Sequence, residues 1–358
     1  LNKNNMEDNK KLIERLVLDL LRQGGSDLHI SGGRHPVMRV NGELITLLRD
    51  KELTNDDVKG VIEAMIGKDK LNKFIEKQEI DFSYSVGTEA RLRGNAYVTR
   101  GNISIALRLI PKVKPLDELD LPPILKTFAT KKQGFFLIVG PVGQGKSTTM
   151  AAMIDLINTE RAERIITIED PIEYLFDPKS SIIDQREVGI DTEDFQTALN
   201  SVFREDVNVI MIGEMRNAET IATAVTAAET GHLVISTLHT NNASQTIDRI
   251  IDSFPPEQQD QIRTQLAGSL LGIFSQRLIP KTTGGRVPAY ELLINNNAVS
   301  NLIRERRTHE IEVVIETGFE QGMVDMNRSL LDLVRKGEIT IDNARLYSSN
   351  PKGLERLM

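Results

Sequence analysis

Apolar and polar positions along the chain follow two rhythms, and the change falls near residue 111. Before it the elements are short and mixed. Residues 9–22, NKKLIERLVLDLLR, bring apolar side chains round every ~3.6 positions and stop at Gly24 and Gly25, which predicts an amphipathic helix with a glycine end. SDLHIS and PVMRVNGELITL alternate like strands, the second turning at Asn41-Gly42. Residues 55–77 return to helical spacing, and DFSYSV and ARLRGNAYVTRGNISIALRLIP predict further strands with turns at Gly87 and Gly101. The result is a small α+β domain over residues 1–111.

PKVKPLDELDLPP then holds four prolines in 13 residues, and residues 112–124 read as an extended linker. From about residue 125 apolar runs recur at 135–139, 164–168, 207–212 and 232–237 with helical patterns between them. That alternation predicts an α/β fold, a mostly parallel sheet with helices on both faces, over residues 125–254. From Pro255 to the end the pattern is mainly helical and charged, which predicts a helical C-terminal subdomain, 255–358.

One stretch fixes the chemistry. GPVGQGKS, Gly140 to Ser147, has the G-x-x-x-x-G-K-S spacing of a phosphate loop, with a buried-strand pattern before it and a helical one after it. Gly140, Gly143 and Gly145, with Pro141, Val142 and Gln144 between them, let backbone N–H groups turn toward an anion. Lys146 reaches terminal phosphates, the Ser147 hydroxyl suits Mg2+, and Thr148 completes the cradle. A plain glycine turn before a helix would not need this spacing with both flanks correct. The chain is therefore read as a P-loop NTPase that binds a nucleoside triphosphate, ATP with Mg2+.

Two acidic clusters follow apolar strands and so fall at the strand ends where α/β sheets bind ligands. RIITIEDPIEY supplies Glu169, Asp170 and Glu173, and DVNVIMIGEMR supplies Glu214, with Gly213 where a hydrolysing ATPase often has an Asp. Ser147, Glu169, Asp170 and Glu214 are the metal candidates, and Glu214 is a candidate for polarising water. A helix cap or a surface carboxylate is the plainer reading for any one of these acids. TGHLVISTLHTNNA places His232 and His239 seven apart, on opposite strand faces, which argues against a shared metal. His232 is read as a γ-phosphate sensor or an intersubunit link, against a structural histidine. Arg91, Arg93, Arg100 and Arg108 lie on the strands before residue 111. Alone they suggest a solvated sheet face; in trans they could neutralise a phosphoryl-transfer transition state.

Length and composition set the outer bounds. At 358 residues the chain holds two or more domains, and its 40% hydrophobic and 27% charged residues are ordinary for globular proteins. The net charge of −7 weighs against a nucleic-acid motor, IRERRT being the main basic run. Without cysteine there are no disulfides and no thiolate metal sites. No apolar run of about 18 residues implies a membrane span, and LNKNNMEDNKK lacks the apolar core of a secretory leader.

With these motifs in place the chain resembles the secretion ATPase superfamily, and within it the type IV pilus retraction ATPase (PilT) family. Four boxes stand in the family's order: GPVGQGKSTT, the Asp box IEDPIEY, the Walker B segment REDVNVIMIGEMR and the His box TGHLVISTLHTNNA. SDLHIS through RVNGEL resembles the family's PAS-like domain, and AVSNLIRE resembles its retraction signature A-I-R-N-L-I-R-E. Val142 and Gln144 stand where the family usually has Thr and Ser, and Val299 and Ser300 where it has Ile and Arg. The resemblance implies a RecA-like core behind the PAS-like domain, Glu173 as general base, Glu214 as Walker B glutamate, His232 near the nucleotide, and Arg91, Arg93 and Arg108 as arginine fingers. It further implies a homohexamer hinged at the proline segment, cytoplasmic and peripheral at the inner face of the cytoplasmic membrane. Its partners would be an inner-membrane pilus platform protein and, indirectly, pilin, with no nucleic acid.

Pilus assembly and type II secretion ATPases usually carry a four-cysteine zinc motif, which this chain lacks. An accessory retraction paralogue, a RecA-like nucleic-acid motor and a nucleotide-dependent scaffold without turnover are the other readings.

Overall fold

A computed structural model describes residues 3–87 and 89–358, so the first two residues of the segment read as no leader lie outside it. The chain divides into two compact units, Leu1–Pro111 and Lys112–Met358.

The first unit is an antiparallel sheet with two helices on one face. Its strands are β1 (Gly25–Ser31), β2 (Val37–Val40), β3 (Glu43–Thr46), β4 (Glu79–Val86), β5 (Ala90–Thr99) and β6 (Asn102–Ile110), in spatial order β3-β2-β1-β6-β5-β4. Ile13, Leu16, Val17 and Leu20 of α1 (Lys3–Arg22) and Val58, Val61 and Ile62 of α2 (Asn55–Lys77) pack on Leu28, Ile30, Leu92 and Leu107 of the sheet. Strand parity does the sorting: along β5, Leu92, Gly94 and Ala96 face that core, while Arg91, Arg93 and Asn95 face away. Thr54 and Asp57 form a reciprocal capping box at the start of α2.

The second unit is a seven-stranded sheet: β7 (Gly134–Val139), β8 (Arg164–Glu169), β9 (Ile182–Glu187), β10 (Val209–Ile212), β11 (Leu233–Leu238), β12 (Leu270–Pro280) and β13 (Arg286–Ile294). The spatial order is β13-β12-β7-β11-β10-β8-β9, and every pairing is parallel except β12 with β13. Helices α3 (Leu125–Ala129) and α4 (Lys146–Glu160) cover one face; α5 (Phe195–Val202), α6 (Ala218–Glu229), α7 (Ala243–Asp252) and α8 (Pro256–Ser269) cover the other. Alternate residues of β7 feed the two cores, Phe135, Leu137 and Val139 one and Phe136 and Ile138 the other. That double burial is why the strand reads as an unbroken apolar run. Five further helices follow the sheet: α9 (Asn297–Arg304), α10 (Ile311–Thr317), α11 (Met326–Arg335), α12 (Ile341–Tyr347) and α13 (Pro351–Leu357).

Two expectations change. Residues 255–358 are not helical throughout: after α8, β12 adds a parallel strand and β13 an antiparallel one, bringing the sheet to seven strands. LLGIFSQRLIP follows α8 without a break and lacks clean alternation, so nothing in its pattern separates it from a buried helix. Nor is 112–124 a free linker. Lys112 bridges to Leu175, and Leu116 and Leu121 are buried beside Leu125, Phe128 and Met153.

Candidate functional site

β7, β8, β10, β11 and β12 run parallel, so the segments that leave their C-terminal ends gather at one edge of the sheet. There they enclose a cavity of about 580 Å³ lined by the phosphate loop, the 169–174 turn, Gly213, Glu214, His239, Leu278 and Arg286. Every residue from Val142 to Thr148 faces it, with Glu169, Asp170 and Glu173 opposite.

The loop is moored to β12. Gly140 has φ 146°, and a Cβ there would stand 2.4 Å from the Gln276 carbonyl oxygen, so the approach requires glycine. Gly145, at φ 79°, caps α4 without a side chain and leaves that N-terminus open to an anion. The Gln276 amide donates to the Gln144 carbonyl at 2.8 Å and accepts from Thr149 Oγ1 at 2.6 Å, and the Leu278 N–H donates to Gln144 Oε1 at 2.7 Å. Gln144 therefore serves as a tether in this chain.

Lys146 is buried, and its Nζ donates to the carbonyls of Gly140 and Pro141, each at 2.8 Å. Burial pulls its pKa down, while Glu214 and Glu173 hold it up. Its Nζ also lies 3.2 Å from His239 Nδ1, and His239 Nε2 lies 3.2 Å from Glu214 Oε2. A protonated Lys146 makes Nδ1 the acceptor, which leaves Nε2–H to donate to Glu214. Arg216 bonds the other oxygen of Glu214 and reaches Asp170 Oδ2 at 3.1 Å. Burial raises the Glu214 pKa, but Arg216 and His239 outweigh it and hold the carboxyl below its ordinary value. A continuous polar chain thus joins Lys146, His239, Glu214, Arg216 and Asp170 across the cavity.

Glu169 is fixed as a support for the turn. Thr167 Oγ1 and the Gln185 amide donate to its Oε1 at 2.6 and 3.1 Å, and the Glu173 N–H donates to its Oε2 at 3.4 Å. Burial pushes its carboxyl up, and these three donors already engage its oxygens. The Asp170–Pro171 peptide is cis, and Glu173, two residues on, is exposed to the cavity. Mg2+ prefers a few hard oxygens completed by phosphate and water. Ser147 Oγ, Asp170 and Glu214 at the cavity fit that demand, and among the described residues no cluster of three acidic or histidine ligands competes with it.

His232 is the clear correction. It precedes β11, at the far end from the cavity, with its Nδ1 3.0 Å from the Ala227 carbonyl and its ring edge-on to Phe203. It does not reach the cavity of its own chain; His239, which follows the strand, does. The strand-end rule already applied to the acids would have chosen His239. Arg286, which lines the cavity from β13 and lies 3.4 Å from the Gly143 carbonyl, gave no sequence signal. Arg91, Arg93 and Arg108 lie in the first unit, where Arg93 sits directly opposite Arg108 and Arg108 Nε bonds Asp27 at 2.8 Å.

A family model described as "Type II/IV secretion system protein" matches residues 2–345. The chain is 42% identical over 341 residues to the "Type IV pilus retractation ATPase PilT" of Pseudomonas aeruginosa, covering 95% of this chain and 99% of that one. It is 42% identical over 321 residues to the "Twitching motility protein" of Neisseria gonorrhoeae, covering 89% and 86%. Among solved structures, that of the pilus retraction motor PilT with bound ADP superposes with a TM-score of 0.89 at 44% identity, covering 96% of this chain and 99% of its own.

Proposed function

The chain belongs to the type II/IV secretion system protein family, and from that premise we propose that it is the ATP-hydrolysing motor of type IV pilus retraction. The observation that carries the reading is the cavity in which the phosphate loop, Lys146, Glu214 and His239 converge. The near full-length likeness to retraction ATPases supports the direction of the motor.

The phosphates of ATP lie along Gly140–Thr148, over the N-terminus of α4. Lys146 exchanges its two loop carbonyls for phosphate oxygens. Mg2+, held by Ser147 with Glu214 and Asp170 nearby, would neutralise charge on the β- and γ-phosphates. Glu173 is the general base that takes a proton from the attacking water, and Glu169 aims it by holding its backbone N–H. His239, between Lys146 and Glu214, reads the terminal phosphate, a role moved here from His232. Arg91, Arg93 and Arg108 supply transition-state charge in trans within a homohexamer, with Arg108 first leaving Asp27.

The ring works on an inner-membrane platform protein at the cytoplasmic face and, through it, on pilin. No helix among the described residues is long and apolar enough to cross a membrane. At the signature's two departures, Val299 and Ser300 are buried and Ser300 Oγ donates to the Ala267 carbonyl at 2.8 Å. That position serves packing here.

The test is ATP turnover of the purified chain with its solution mass, Lys146→Ala as control, and pilus number in a deletion strain. A hexamer with Lys146-dependent turnover that restores retraction supports the reading. Turnover with pilus number unaffected by the deletion points to an accessory paralogue.

A further inference from the structure

Besides Ser275, the strands β12 and β13 carry two polar side chains into the interior, and each bonds a segment that adjoins the nucleotide cavity. Gln276 moors the phosphate loop. The other is Glu291 on β13, which is 7% exposed and lies opposite Ser275 in the ladder. Its Oε1 accepts the Ala243 N–H at 2.8 Å and Ser275 Oγ at 3.2 Å. Ala243 is the first residue of α7, and the loop just before it, 239–242, begins with His239.

Within the loop and the first turn of α7, Thr240 Oγ1 lies 2.7 Å from Thr246 Oγ1, Thr246 Oγ1 donates to the Asn242 carbonyl at 2.6 Å and Gln245 N–H to Asn242 Oδ1 at 2.8 Å; the bonds to other elements are exposed, Arg277 to Asn241 at 3.2 Å and Asn242 to Glu312 at 3.3 Å. Glu291 adds a buried bond from the sheet, its carboxylate accepting the first N–H of α7 where the loop ends.

We propose that Glu291 is a positioning residue: by anchoring the start of α7 to the sheet, it fixes where the 239–242 loop presents His239 to Lys146 and Glu214. The proposal rests on the hydrolytic reading of the cavity. Burying a carboxylate costs free energy that its two donors, the Ala243 N–H and Ser275 Oγ, offset. Burial pushes its pKa up to about 7 against the pull of Ala243 and Ser275, and Glu312 on α10 and Asp325 before α11 add to the rise. Arg277, the cation on the neighbouring strand, is bonded to Asn241. As pH rises through about 7 the carboxylate ionises and its grip on the Ala243 N–H strengthens.

Glu291→Ala and the isosteric Glu291→Gln are compared with the wild-type chain by ATP turnover from pH 6 to 8.5 and by amide hydrogen exchange over residues 239–246. In Glu291→Ala, kcat should fall about tenfold to a hundredfold with KM within about threefold, and exchange should quicken over that segment. Gln should restore protection and most of kcat, and should flatten the rise in kcat near pH 7. Unchanged exchange with turnover within about twofold in Ala, or the wild-type pH limb persisting in Gln, would overturn the proposal. If the wild type shows no Lys146-dependent turnover, the hydrolytic reading fails, and the exchange comparison still decides whether Glu291 anchors the loop.

Discussion

His232 and His239 flank one strand, and which of them meets the nucleotide is decided by the direction of that strand. His239→Ala is expected to cut turnover about a hundredfold or more. His232→Ala should keep turnover within about threefold and lower the melting temperature by a few degrees. Equal losses of turnover would return the phosphate role to His232. Glu173→Gln should bind ATP with near-normal affinity and hydrolyse it at least about a hundredfold more slowly, and turnover near the wild-type rate would remove it as the base. At this scale the sequence was legible where a fixed spacing or the end of an apolar strand sets the place of a side chain, as for Lys146 and Ser147 by the first rule and Glu214 by the second, all of which line the cavity. It was silent on Gln276 and Glu291, because a polar residue within an apolar run shows only that something bonds it. The identity of that partner depends on strand register and on which helix end lies nearby. At Glu169 the acid was legible but its three donors were not.

Elements were legible in proportion to their periodicity. The alternation of β7, β8, β10 and β11 with helices was readable because buried parallel strands form apolar blocks, whereas β9, half-exposed at the sheet edge, formed none and was missed. β12 and β13 were missed, yet they hold both the phosphate loop and the start of α7. The proline segment misled differently, since its prolines set an extended backbone while Leu116 and Leu121 set its burial. Leu116→Ala is therefore expected to cost about 2–4 kcal/mol in a denaturant titration, whereas a free linker would lose nothing measurable. Gly140→Ala forces a Cβ against the Gln276 carbonyl at a φ that side chains avoid. It should cost more than about 2 kcal/mol and abolish nucleotide binding, and retained binding would mean that the loop yields.

Over the whole molecule, the pH dependence of stability should carry the mark of Glu291. Its pKa rises from 4.5 to about 7 on folding, so its contribution to stability is full below pH 4.5 and is lost as pH climbs through 7. The loss is on the order of 3 kcal/mol. Glu291→Gln should remove it, gaining on the wild type between pH 5 and pH 8 in urea titrations, and a constant difference across that range would contradict the assignment. The double mooring of Gln144 has a mechanical consequence. One residue ties the phosphate loop to β12 through both its backbone and its side chain, so the loop cannot peel away one bond at a time. The phosphate end of the nucleotide then rests on a stiff bearing continuous with the sheet. Compliance is then expected at the opposite wall, and a stroke of the engine would start from the side of the cavity that Glu214 and His239 line.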